Sequence, residues 1–281
     1  MRVGSVLFKV IIFLFFAIIF IINDISAQSR LYNAVLNDKH RKVNRFLARG
    51  DNPNGDGNPQ YIPLIKATEN NQHRIVQMLI GRGANVDIQN HIGFTPLMES
   101  AIQRNNRILR YLLQNDANTE LKANNGATAV MIAVTAGNLS TARILLDAGA
   151  NPNVKDNTGT TPLMSAVEQG TNIELIRLLA EYDADFEAKD NSGNTAIMKY
   201  SYRGKIPAHY ELINLGADVN AINNRGTNPL MKAVVEGNLE MVKLLIENGA
   251  DMHTQDYDGL SALDYAFAQM EIREYLLSIK E

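Results

Sequence analysis

The five histidines, His40, His73, His91, His209 and His253, are the side chains here best suited to exchange protons near neutral pH or to bind a metal through imidazole nitrogen. No two of them stand at i and i+4, and none falls in a hydrolase or zinc-peptidase pattern with serine or glutamate. His209 and Glu211 come nearest to an acid–base pair, but residues two apart on a helix do not face each other. The chain has no cysteine, which removes thiolate metal sites, a thiol nucleophile, a disulfide framework and a lipid-modified cysteine anchor. These residues predict no catalytic site, no metal and no cofactor.

Methionine offers a second kind of chemistry, because Met98, Met131, Met164, Met198 and Met231 recur in one register. A shared copper site needs sulfurs on one ion, whereas stacked helices lie roughly 8 to 10 Å apart. The column therefore reads as thioether packing in a helical core. Charge is equally unrevealing: 27 basic against 30 acidic residues leave a net −3, and no block of Lys or Arg marks a nucleic-acid partner.

The elements that carry these residues repeat. Gly93, Gly126, Gly159, Gly193, Gly226 and Gly259 stand at intervals of 33, 33, 34, 33 and 33. A second column, Gly50, Gly83, Asp116, Gly149, Asp183, Gly216 and Gly249, keeps the same period. After the first column come Thr95-Pro96-Leu97-Met98, Thr128-Ala129-Val130-Met131, Thr161-Pro162-Leu163-Met164, Thr195-Ala196-Ile197-Met198 and Asn228-Pro229-Leu230-Met231. Thr or Asn caps a helix N-terminus and Pro suits its first position, so a helix is predicted at each tetrapeptide. A second helix, such as Leu239 to Ile246, follows and stops where the next glycine can turn left-handed.

In these columns the chain resembles the ankyrin repeat, a finger-like β-turn followed by two antiparallel helices. The resemblance implies an all-α repeat solenoid of about eight units, with an N-terminal capping unit at 28–57, six repeats at 58–253 and a C-terminal capping unit at 254–281. Both terminal units are expected to be polar-faced, as the ends of a stack must be. The family usually has His where this chain has the Met column, so one structural hydrogen bond per repeat is replaced by packing.

Ahead of the repeats, Arg2 and Lys9 precede thirteen uninterrupted apolar residues, Val10 to Ile22, and then Ser26-Ala27-Gln28. This is the pattern of a secretory signal over residues 1–27 cleaved after Ala27; an uncut anchor through residues 10–22 is the competing reading. The mature chain is then expected in the periplasm, or else extracellular, without membrane insertion.

Ankyrin stacks bind proteins along a concave surface of fingers and first helices, so the resemblance implies a non-catalytic scaffold, monomeric, for an unidentified protein partner. Resemblance to exported bacterial ankyrin proteins suggests two alternatives: protection of a secreted enzyme in oxidative-stress defence, or a host-directed factor. Large apolar groups at exposed fingertips are costly unless covered, which selects Tyr61, Ile92, Phe94 and Tyr257, with His91 beside them. Tyr202 joins them from the sixth unit, where His209 and Glu211 replace the apolar residues that Val242 and Leu244 supply one unit later.

Overall fold

The computed structural model describes residues 30–169, 172–199 and 206–279. Residues 1–27, expected from sequence to be a secretory signal, and Tyr202 lie outside the described residues. The chain divides into two compact bodies, the first ending at Gln103 and the second beginning at Arg104.

In the first body, helix pairs Arg30–Leu36 with His40–Ala48 and Pro63–Glu69 with His73–Ile80 are followed by helix Pro96–Ile102. First helices pack on first helices and second helices on second helices. In the second body, second helices Asn106–Leu113, Leu139–Asp147, Ile173–Glu181, Ile206–Asn214, Leu239–Glu247 and Met270–Ser278 form one row. First helices Ala129–Thr135, Pro162–Gln169, Pro229–Val235 and Ala262–Tyr265 form the other, with the 3-10 turn Ala196–Met198 standing between the second and third of them.

Apolar periodicity accounts for these helices, since each buries only a stripe: Leu109 and Leu112 in Asn106–Leu113, and Val242 and Leu245 in Leu239–Glu247, are fully buried. The methionine column lies in the core, with Met98, Met131, Met164, Met198 and Met231 all at 3% exposure or less. Capping follows the sequence at three tetrapeptides: the Met98, Met164 and Met231 N–H groups donate to Thr95 Oγ1 (3.2 Å), Thr161 Oγ1 (3.3 Å) and Asn228 Oδ1 (2.8 Å). Thr128 and Thr195, the two followed by Ala rather than Pro, make no such bond.

The column that ends each second helix is left-handed throughout, and its aspartates adopt the conformation as its glycines do: φ is +62° at Asp116 and +60° at Asp183 against +87° at Gly149. Aspartate tolerates this region better than most side-chain-bearing residues.

Two expectations fail. At Thr195 the described residues form a single 3-10 turn, after which Lys199 is extended with ψ 129°. The register five residues past the cap is Ala67, Ser100, Ala133, Ala166 and Ala233 in the other repeats, all buried, and in the sixth it is Tyr200. Tyr200 itself lies outside the described residues, and the described turn ends two residues before it. The final repeat is also less polar than a cap should be: Phe267 and Met270 are 87% and 76% exposed. Phe267 occupies the register at which Val134, Val167 and Val234 are wholly buried, which is the side that a following repeat covers in the interior of the stack.

Among the described residues the sixth repeat offers its second helix one 3-10 turn where the seventh offers the helix Pro229–Val235. Amides of Ile206–Asn214 are expected to exchange roughly tenfold faster than those of Leu239–Glu247 in hydrogen-exchange mass spectrometry. Equal rates would show that the short turn supports its partner helix fully.

Candidate finger and groove surface

The fingers of the second body are tied to one another in series. Asn157 Nδ2 donates to the Asn124 carbonyl (2.9 Å), Asn191 Nδ2 to that of Asn157 (3.0 Å) and Asn224 Nδ2 to that of Asn191 (3.2 Å). A parallel series runs through the lysines, with Lys122, Lys155 and Lys189 Nζ donating to the carbonyls of Lys155, Lys189 and Ile222 at 2.8 to 2.9 Å. Within four of these fingers one side-chain oxygen, from Asp156, Asp190, Asn223 or Asp256, serves as hub: Asp190 Oδ1 accepts the N–H groups of Ser192 and Asn194, both at 2.8 Å, and Ala123 stands at this position in the remaining finger. The polar fingertip residues are therefore occupied in building the fingers.

Tyr257 ends the asparagine series. Its N–H still donates to the Arg225 carbonyl (3.0 Å), as Asn224 does to Ser192 (3.1 Å), but an aromatic ring, 72% exposed, stands where the preceding fingers carry an amide. Arg225, which accepts that bond, lines a groove of this body together with Asn194, Asn223, Lys232, Val235, Glu236 and Tyr265 among others. Val235 is 53% exposed on the first helix of the seventh repeat.

The groove's electrostatics come from close pairs. Tyr265 donates to Asp256 Oδ2 (2.5 Å), which raises the phenol's pKa and lowers the carboxyl's. Burial pushes the Lys232 ammonium below its ordinary value, against the opposing pull of Asp190 and Glu236. Burial also pushes Asp190 upward, but the 2.9 Å ion pair with Lys199 and the bonds from Asn194 outweigh it and leave the carboxyl low. This arrangement can present charge, hydrogen-bond donors and an aromatic anchor to a ligand surface. It contains no nucleophile held by a base, and no group of three metal-ligating side chains occurs among the described residues.

Of the residues singled out by sequence, His91 and Ile92 are exposed in the first body, with Ile92 at 46%, and Phe94 beside them is half-buried. Tyr61 is not a fingertip contact: it is 9% exposed, with its ring set edge-on to Tyr32 at 5.3 Å between centroids. Tyr257 is exposed in the second body. Sequence reasoning missed Val235, Lys232 and Tyr265. Helical register was the available signal, because Lys232 and Tyr265 align with Lys199 four residues past the cap and Val235 follows at the seventh position.

The sixth repeat's polar pair is satisfied rather than orphaned. His209 is fully buried with Nε2 3.2 Å from the Lys199 carbonyl. Glu211 accepts a two-pronged bond from Arg177 of the preceding repeat, Nε to Oε1 at 2.7 Å and Nη2 to Oε2 at 3.0 Å. That bond holds the Glu211 carboxyl below its ordinary pKa against the opposing effect of burial. Both side chains thus have polar partners at registers that Val242 and Leu244 fill one unit later.

The family model for ankyrin repeats in three copies matches residues 31–123, 64–156, 115–190, 148–222 and 197–281. The chain belongs to the ankyrin-repeat family. Among solved structures it is similar to the crystal structure of the human ASB11 ankyrin repeat domain, with 24% identity and a TM-score of 0.67 over 78% of this chain and 97% of that one, a likeness of fold. No curated protein sequence matches it. Ankyrin repeats in general mediate protein–protein interaction, and no helix of the described residues is long and apolar enough to cross a membrane.

Proposed function

We propose that this chain is a non-catalytic scaffold of the cell envelope that recognises a protein partner through fingers and first helices. The observation that carries the reading is Tyr257, 72% exposed where the asparagine series ends, next to a groove whose wall exposes Val235. A large aromatic ring held by a bonded backbone loses little freedom on binding, and such anchors at the edge of a polar groove typify interface hot spots. The envelope assignment rests on the secretory pattern of residues 1–27. Ile92 and His91 form a second exposed finger, in the first body.

The test is affinity capture from a native envelope extract with the wild-type chain and with Tyr257→Ala. One protein should co-purify with the wild type and be lost with the variant, and its binding to purified protein should weaken by about tenfold or more. Equal capture by both would remove Tyr257 and its groove from the interface.

A further inference from the structure

The second helix of the first repeat, His40–Ala48, buries Val43 and Leu47 and turns Arg41, Lys42 and Arg45 outward. Lys39 precedes it, Arg49 follows it, and all five cations are exposed. Arg74 repeats the position of Arg41 one repeat later, as Arg82 repeats that of Arg49, so the cations form a two-repeat array. Lys39, Arg41, Lys42, Arg45 and Arg74 line one shallow cleft, whose only carboxylate is Asp38, itself 3.6 Å from His40. Among the described residues none of the six from Lys39 to Arg74 forms a salt bridge, and Arg49 alone has a carboxylate near enough to feel its charge, Asp51, which Arg30 binds.

We propose that this basic outer face, built from Lys39, Arg41, Lys42, Arg45, Arg49 and Arg74, rests on an anionic lipid headgroup surface. Five of its six cations lie within residues 39–49, and stacking adds Arg74 to them. Residues 30–103 carry nine basic and six acidic side chains, a net of 9 − 6 = +3, in a chain whose overall charge is −3. The cluster holds cations with little apolar surface, Met78 being half-buried, whereas the core of a protein–protein interface is depleted of charge and rich in aromatics. Headgroups need only charge, and each Lys or Arg near an anionic surface contributes about fivefold to partitioning. The apolar run Val10–Ile22 lies sixteen residues before Lys39, and the same chain must therefore pass a membrane at its outset if that run acts as a signal or anchor. The face is distinct from the finger and groove surface, so this inference stands apart from the proposed scaffold function.

Arginine footprinting tests it on the full chain as cells produce it, whatever its N-terminus. The protein is mixed with vesicles of phosphatidylcholine alone, or of phosphatidylcholine and phosphatidylglycerol in equal amounts, and labelled with phenylglyoxal. Arg41, Arg45, Arg49 and Arg74 should label several-fold more slowly on the anionic vesicles only, with Arg225 and Arg273 unchanged as exposed controls. Raising salt should abolish the protection, because screening shortens the reach of charge. In the triple variant Arg41→Gln/Arg45→Gln/Arg74→Gln, the anionic preference should fall by about a hundredfold, from three contributions of that size. The variant's helical circular dichroism should be unchanged, since the replaced groups are exposed; if it is not, the single Arg45→Gln change should lower the preference about fivefold. Equal labelling on both vesicle types would overturn the proposal. So would tighter capture by duplex DNA or polyglutamate than by anionic vesicles at matched charge.

Discussion

Gly193→Ala is expected to destabilise the second body by about 3–5 kcal/mol, while Gly149→Ala costs only about 1–2 kcal/mol. Both glycines are left-handed, at φ +79° and +87°, so alanine incurs the same conformational penalty at each. They differ in surroundings. A Cβ on Gly193 would lie 2.3 Å from Asn224 Oδ1 and 2.6 Å from its backbone nitrogen, whereas one on Gly149 would meet nothing within 4 Å. Asn224 is the atom set by which the seventh finger hangs on the sixth, through its N–H to Ser192 and its amide to Asn191. Moving it breaks two inter-repeat bonds as well as straining one turn. Urea midpoints for the two variants measure the difference, and equal shifts would show that the finger gives way without cost.

The same contrast explains why the two glycine columns were legible as a period and not as a mechanism. A spacing of 33 identifies recurring turns, but only the coordinates separate a glycine demanded by backbone sign from one demanded by a neighbour's approach. The methionine column and the Thr-Pro caps were readable because helical period and capping chemistry are local properties. Tyr61 was misplaced because its exposure depends on Tyr32, a partner 29 positions away that periodicity does not register. The basic face escaped for a different reason: its cations at 39–49 read as the polar side of a capping unit, and only stacking sets Arg74 beside them.

The Arg177–Glu211 pair was the least readable feature, since Glu211 stands at a register filled by Ile144, Leu178 and Leu244 and reads from sequence as an unpartnered buried charge. Its partner enters from the neighbouring helix Ile173–Glu181, and Arg177 also reaches Glu174 at 2.9 Å. Removing the arginine leaves a carboxylate whose side chain is 11% exposed without its two charge-assisted bonds. Arg177→Met should therefore destabilise the protein by about 2–3 kcal/mol, below the cost of breaking a fully buried pair because the Arg177 side chain is itself 54% exposed. Glu211→Leu removes the charge and restores an apolar residue to an apolar register, so its expected effect is within about 1 kcal/mol of zero. The sign of the pH dependence follows from the lowered Glu211 pKa: the contribution is complete above the unfolded-state value, about 4.3 for Glu, and is lost as pH falls through the lower folded value. Urea unfolding at neutral pH and again in acid should then show the gap between wild type and Arg177→Met closing as the carboxylate is protonated. A gap that stays constant on acidification would mean that Arg177 acts by packing its methylene stem rather than by its charge.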